Sequence, residues 1–292
     1  MCLNLLAAGY RVTVYDRRSV LAAVPIAHGA GWAESPREVA ASVDVLITML
    51  PGPAEVETVM GGPAGALDAL RQGATWIDMT TSSPALAEVM ADQAGAHGVA
   101  VLDAPVGGGP PAAAAGTLQV FVGGDSDVLQ SWRELLGVLG DPDRIVHFGP
   151  SGSGCTAKLL VNLLWFGQAL ANAEALMLAD RAGIDLEVFR GAVVAGNANS
   201  HFAQHDAVGL LGGDYLRSFS FARCCEELTA VRDLEQRFAL ELPIARTVER
   251  TYQRALDRYG DLDGELLAVK LLEDTNGIRL RHPAHRCYDR GS

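Results

Sequence analysis

The sequence predicts an α/β domain built on a doubly wound parallel sheet, followed by an all-α domain. Three features carry that expectation. Short apolar, β-branched runs alternate with helical stretches through the first half, helix follows helix from Gly154 onward, and glycine and proline punctuate the transitions. The runs at residues 10–16, 43–50, 74–80 and 99–106 read as strands, because near-continuous apolar character marks parallel strands covered on both faces. Residues 117–124 and 143–149 add two more strands with a helix between them. Helical stretches separate the earlier strands, one of them with Pro84 at its start and Gly95 and Gly98 near its end. Residues 155–182 read as one helix, about 42 Å long at ~1.5 Å per residue, which Gly183 ends. Further helical segments complete the chain. The expected division is a sheet domain over 1–150, a helical domain over 151–282 and a disordered tail over 283–292.

Composition narrows the function classes. The 292 residues are 49% apolar and 20% charged, a globular balance. Lys+Arg 23 against Asp+Glu 35 leaves a net charge of −12, which argues against nucleic acid or an anionic membrane as partner. The apolar run at 159–179 has the length of a membrane span. It contains Asn162, Gln168, Asn172 and Glu174, each costly in hydrocarbon, so a buried helix is expected instead. Five cysteines without a C-x-x-C pair, and no signal peptide, read as a reduced cytoplasmic protein. His201 and His205 are four residues apart but lack an H-E-x-x-H motif or a third ligand, so no metal is expected. Ser151 and Ser153 lack the G-x-S-x-G context of a hydrolase nucleophile.

Alternation of this kind suits a dinucleotide-binding sheet, which begins with a strand, a G-x-G-x-x-G loop and a helix facing the pyrophosphate. This chain opens on what reads as the remainder of that helix, and residues 10–16 read as the second strand. Without a central first strand, two neighbours would lack a partner. We expect a start placed downstream of the true one, the alternative being a decayed protein. Asp16 ends the second strand, where a carboxylate accepts the hydroxyls of an adenosine ribose; a polar turn residue is the other reading. Arg17 and Arg18 suit a 2′-phosphate, so both NAD and NADP stay open.

Three segments resemble the 3-hydroxyisobutyrate dehydrogenase family, the β-hydroxyacid dehydrogenases related to 6-phosphogluconate dehydrogenase. DAPVGGGPPAAAAGTLQVFVGG, from Asp103, is similar to that family's substrate loop. GPSGSGCTAKLLVNLL, from Gly149, is similar to its G-x-G-x-x-x-K-x-x-N-N signature. ITMLPGPAEV and IDMTTSSP are similar to its cofactor-side loops. The likeness extends from Met1 to about Leu280 and implies a Rossmann-like fold, a homodimer or homotetramer built on the helical domain, and a small carboxylate substrate.

Lys158 and Asn162, four apart, share one helical face and can address one substrate atom. Oxidising an alcohol requires its proton to leave while a hydride passes to a nicotinamide. A lysine accepts that proton when burial and nearby positive charge lower its pKa from ~10.4, and an asparagine can orient the same oxygen. The resemblance implies those two roles for Lys158 and Asn162. Val161 replaces the first Asn of the signature, off the Lys158 face. Gly107, Gly108 and Gly109 can present successive N–H groups to a carboxylate or can form a flexible turn. The family's usual Ser is replaced by Gly107, which weakens carboxylate binding or signals a different substrate.

The resemblance places Met49, Leu50 and Pro51 beneath the adenosine half of the cofactor and Thr81 near the nicotinamide ribose. From chemistry alone, Thr80 to Ser83 before Pro84 read as a helix cap. Counting back from Pro243, the family's Lys-Asp pair falls on Glu226 and Glu227, which puts a carboxylate in the cofactor-binding position Glu226; a solvated helix face is the alternative for both. The function implied is NAD(P)-dependent interconversion of a small β-hydroxy acid and its semialdehyde or keto acid. A catalytically silent dimeric scaffold, or an imine reductase of the same superfamily, are the alternatives. Imine reductases usually replace the lysine equivalent to Lys158.

Overall fold

The computed structural model describes residues 1–62, 65–216 and 219–281, so the tail expected over 283–292 lies outside the described residues. The strands are β1 Thr13–Val14, β2 Gly31–Trp32, β3 Val45–Thr48, β4 Thr75–Asp78, β5 Ala100–Asp103, β6 Val106–Gly107, β7 Leu118–Gly124 and β8 Gly140–Gly149. In the same half lie helices α1 Cys2–Ala7, α2 Ala23–Ala27, α3 Pro36–Ala41, α4 Pro53–Gly61, α5 Pro84–Ala96, α6 Gly109–Ala115 and α7 Ser126–Leu139. The second half holds α8 Ser153–Arg181, α9 Leu186–Ala195, a π-helical turn Phe202–Asp206, α10 Ala207–Leu211, α11 Phe221–Arg237, α12 Pro243–Tyr259 and α13 Leu267–Asn276. Contacts divide the chain into two compact units, Met1–Lys158 and Leu159–Ser292. Residue 150 is the boundary read from the sequence. The units instead meet inside α8, because the first turn of that helix is bonded to β5 of the sheet.

In the first unit β3, β4 and β5 pair in parallel, Val45 opposite Thr75 and Thr75 opposite Ala100. β5 and β6 then follow one another along one edge of β7, both antiparallel to it, while β8 lies parallel on its other edge. The sheet is therefore mostly parallel, with one reversal that apolar runs did not announce. Only residues 108–117 separate β6 from β7, too few for the crossover of a dozen or more residues that a parallel return needs. The run expected as one strand over 99–106 breaks at Ala104–Pro105, where proline has no N–H to give a ladder. β1 pairs with β2 in a separate two-stranded parallel sheet, and β3 pairs on one side only, with β4.

Alternation along β4 sends successive side chains to opposite faces. Trp76 joins Val39, Leu46, Val56, Met60 and Met90 on one face. Ile77 joins Leu102, Val120, Leu136 and Ile145 on the other. Both faces are thus covered, as a doubly wound sheet requires.

The second unit packs α8 through α13 around Phe166, Ala173, Leu176, Phe202, Phe221 and Tyr252. Helix α8 is long and apolar enough to cross a membrane by length and composition, yet Phe166, Leu170, Leu176 and Met177 on it sit in this core. A fully buried carboxylate closes the helical unit: Glu273 on α13 accepts from Leu280 N at 2.8 Å, from Arg281 Nη1 at 3.0 Å and from the Tyr215 hydroxyl. Replacing Glu273 with alanine removes the carboxylate that pairs with the Arg281 guanidinium. Glu273→Ala is expected to lower the unfolding free energy by about 3 kcal/mol, read from urea unfolding followed by circular dichroism.

Candidate functional site

Two buried carboxylates stand at the C-terminal ends of adjacent parallel strands, Asp78 on β4 and Asp103 on β5, at 5% and 2% exposure. Each ends an apolar run and turns inward because backbone and hydroxyl donors meet it there. Asp78 Oδ1 accepts from Thr48 Oγ1 at 2.8 Å and from Thr80 N at 3.1 Å. Trp76 Nε1 donates to the same Thr48 hydroxyl at 2.8 Å, and Leu50 N donates to Thr80 Oγ1 at 3.0 Å. The two loops that follow β3 and β4 are thereby tied together through Asp78. Burial pushes the Asp78 carboxyl up to about 6, against the downward pull of its bonds from Thr80 and Thr48.

Asp103 binds the head of α8. Its Oδ1 accepts from Gly152 N at 2.8 Å and its Oδ2 from Cys155 N at 2.9 Å. Burial raises its pKa, opposed by those two N–H groups. Burial, together with the charges of Asp103 and Asp78, pushes the Cys155 thiol well above its usual range. A cavity of about 10 Å³, room for one water, lies among Trp76, Asp78, Ser82 and Asp103, and the buried Ser82 hydroxyl has no partner among the described residues.

Lys158 lies one turn further along α8, half-buried, with Nζ 5.9 Å from the centre of the Phe121 ring on β7. The same ring lies beside Gly107, where an added Cβ would meet Phe121 Cε2 at 3.5 Å. Phe121 therefore brings the lysine and the start of the glycine loop to one side chain. The chain has two lysines, Lys158 and Lys270. Lys270 is spent on an ion pair with Asp274 at 2.9 Å. Asn162, four residues after Lys158 on the same helix, donates from Nδ2 to Glu227 Oε2 at 2.6 Å.

Gly107 ends β6, and Gly108 and Gly109 are exposed at φ +109° and +66°. A Cβ at Gly108 would strike that of Ala112 at 2.7 Å, so this corner requires glycine. Asp16 follows β1 and spends Oδ1 on Arg18 N at 2.7 Å, while Arg17 and Arg18 are exposed. Met49 is exposed at 54%, Pro51 is exposed, and Leu50 and Thr81 are half-buried. Of the four hydroxyls before Pro84, Ser83 caps α5 by accepting from Leu86 N. Glu226 is exposed on α11 and pairs with Arg223 one turn back. Its neighbour Glu227 is the one that reaches Asn162. Sequence reasoning alone does not mark Asp78, Asp103 or Phe121; the signal for the two aspartates is a lone carboxylate ending each of two buried strands, and Phe121 has none. Among the described residues no group of three or more His, Cys, Asp or Glu side chains can hold a metal.

Strand ends are where open α/β sheets bind ligands. Asp16 retains a second carboxylate oxygen suited to ribose hydroxyls, and Met49 offers an apolar surface suited to an adenine face. The molecule is an NAD(P)-dependent oxidoreductase acting on CH–OH groups, on the strength of the family matches that follow. The family model for the NAD binding domain of 6-phosphogluconate dehydrogenase matches residues 1–149. The one described as NAD-binding of NADP-dependent 3-hydroxyisobutyrate dehydrogenase matches residues 152–272. The chain belongs to the 3-hydroxyisobutyrate dehydrogenase family.

An Arabidopsis thaliana protein named probable 3-hydroxyisobutyrate dehydrogenase-like 1, mitochondrial, is 34% identical over 283 residues, 96% of this chain and 84% of its own. The 2-(hydroxymethyl)glutarate dehydrogenase of Eubacterium barkeri is 31% identical over 95% of this chain and 92% of its own. The Mycobacterium tuberculosis 3-hydroxyisobutyrate dehydrogenase solved with L-serine superposes with a TM-score of 0.82 at 29% identity, covering 92% of this chain and 94% of that one.

Asp78 makes stability pH-dependent. Because its folded pKa of about 6 lies above the usual 3.8, its protonated form stabilises the fold. That contribution is present below pH ~4 and lost as pH rises through ~6, on the order of 2–3 kcal/mol. Denaturant melts from pH 4 to 7 are expected to show a shallower decline in Asp78→Asn than in the unaltered chain.

Proposed function

We propose that the chain interconverts a small β-hydroxy acid and its semialdehyde or keto acid, with Lys158 as general acid/base and Asn162 orienting the reacting oxygen. Lys158 carries the reading. Cationic side chains in this sequence are overwhelmingly arginine, yet a lysine stands one turn into α8, over Phe121 and beside the glycine loop. Arginine does not give up its proton at working pH, whereas lysine can. NAD or NADP, when bound, supplies the hydride acceptor. Asp16 and Arg17 meet the adenosine end, Met49, Leu50 and Pro51 lie under it, and Thr81 faces the nicotinamide ribose. Glu227 holds the Asn162 amide with its NH2 toward the carboxylate, which turns the carbonyl the other way to accept from the substrate hydroxyl.

The N–H groups of Gly107, Gly108 and Gly109 receive the substrate carboxylate. Glu226, salt-bridged to Arg223, contributes negative charge to the cofactor-facing region rather than the lysine expected from the family. The exposed Leu160, Leu164 and Leu178 on α8 suit a homodimer or homotetramer, and the free thiols of Cys2, Cys155, Cys224 and Cys225 suit the cytoplasm.

The test is turnover, followed at 340 nm with NAD and NADP, on 3-hydroxyisobutyrate, 2-(hydroxymethyl)glutarate and L-serine. Lys158→Met is expected to lower kcat about 10²–10⁴-fold without abolishing saturable NADH binding. Wild-type turnover in that variant would remove the acid–base role, and an absence of NADH binding in the unaltered chain would favour a silent scaffold. Cyclic imines turned over in place of hydroxy acids would favour an imine reductase. A second variant restores the hydroxyl the family usually has in the glycine loop. The space at Gly107 admits a Cβ at 3.5 Å from Phe121 and 3.7 Å from Gln119. Gly107→Ser is expected to lower KM for hydroxy-carboxylates roughly tenfold with an unchanged melting temperature.

A further inference from the structure

We propose that Asp103 is a positioning residue for Lys158: its carboxylate, fixed at the end of β5, holds the first turn of α8 and through it sets where the lysine amine stands. The proposal rests on the acid–base reading of Lys158 for its functional consequence, but the tether itself is a matter of geometry.

Helices ordinarily satisfy their first N–H groups with a Ser, Thr, Asp or Asn at the residue just before them. Here that residue is Gly152, at φ +87°, and it has no side chain to give. The acceptors come instead from Asp103, far back in the chain: Oδ1 for Gly152 N at 2.8 Å and Oδ2 for Cys155 N at 2.9 Å. No side chain at 152 could take over the cap, because φ +87° disfavours one there and a Cβ would meet Pro84 O at 3.0 Å. An interior carboxylate costs desolvation, and what it adds is a fixed point on the sheet. Both oxygens are committed, one to each end of the first turn, so the turn can neither rotate nor slide without losing a bond.

Two glycines show how closely the parts are pressed. A Cβ at Gly154 would overlap the carbonyl oxygens of Phe121 and Asp103, and a Cβ at Gly123 would overlap the Asp103 carboxylate and Gly154 N. No side chain separates the head of α8 from β5 and β7. Phe121 is two residues before Gly123 on β7, and its ring underlies Lys158 Nζ at 5.9 Å. The strand that receives the helix is therefore the strand that presents the aromatic surface to the lysine. Asp103 and Phe121 thus stand on the two strands that seat the head of α8, which carries Lys158 one turn on. Misplacing a proton acceptor by about 1 Å is enough to cost on the order of 10²-fold in rate.

The sequence supplies its own probe. With two lysines in the chain, reductive ¹³C-methylation labels Lys158, Lys270 and the amino terminus. In Asp103→Asn the amide fills the same space but turns an NH2 toward one of the two N–H donors, so one bond is lost. The expected result is a shifted and broadened Lys158 methyl resonance with the Lys270 resonance unmoved. In unmethylated protein, kcat is expected to fall at least tenfold while KM for the dinucleotide stays within about twofold. A Lys158 resonance and kcat both unchanged in the folded variant would overturn the proposal. So would a loss of both lysine resonances together with a raised cofactor KM, which marks general destabilisation. If Asp103→Asn does not fold, Asp103→Ser, which is smaller and keeps one oxygen for one of the two N–H groups, is expected to give the same shift and the same kcat-against-KM split; neither appearing would overturn the proposal. Wild-type kcat in Lys158→Met would sink the acid–base reading alone, because the Lys158 resonance reports the tether whether or not the amine takes part in chemistry.

Discussion

A helix of 29 residues hangs its first turn on one buried carboxylate, and the rest of the first unit is arranged to make that attachment possible. β7 reverses direction to bring Gly123 and Gly124 against β5, which clears the space that α8 enters. The charge is tolerable in the interior because both oxygens receive N–H groups from the positive end of a long helix, whose aligned peptide dipoles favour an anion there. A hydroxyl or amide at 103 would satisfy fewer donors and lose that charge–dipole attraction.

Asp78 does for the loops what Asp103 does for the helix. It gathers Thr48 and Thr80, and through Thr80 the backbone of Leu50, so that the segments after β3 and β4 move as one. Neighbouring parallel strands place the two carboxylates near each other, and that proximity adds to the effect of burial in raising Asp78. The segments after β3 and β4 and the head of α8 thus rest on polar groups beneath them. These interior groups hold their loops by making specific bonds, which is why hydrophobic burial alone would not serve in their place.

The differences from the family pattern are chemically coherent in different ways. Gly107 removes a hydroxyl but leaves room for one, so the change is local and reversible. Glu226 reverses a charge, and its salt bridge to Arg223 shows how the helix surface accommodates the reversal. Glu227 retains an acidic group one residue on and bonds Asn162, so the asparagine keeps an anionic partner despite the change beside it.

The alternation of strands and helices, the long helix and the change to all-α character were legible in the sequence, because apolar periodicity follows local backbone geometry. That Lys158 and Asn162 lie on one face of one helix was legible, since spacing along a helix fixes which side chains share a face. The reversal of β7 was not legible, because a strand buried on both faces has the same composition whichever way it runs. Nor was the partner of Asn162, because that bond joins α8 to α11 across 65 residues of chain. The sequence by itself determined the helices, most of the strands and which side chains share a helical face. Tertiary structure alone decided that an aspartate ending one strand caps a helix beginning 50 residues later, because hydrogen bonds between distant residues depend on which backbones approach and leave no periodic trace.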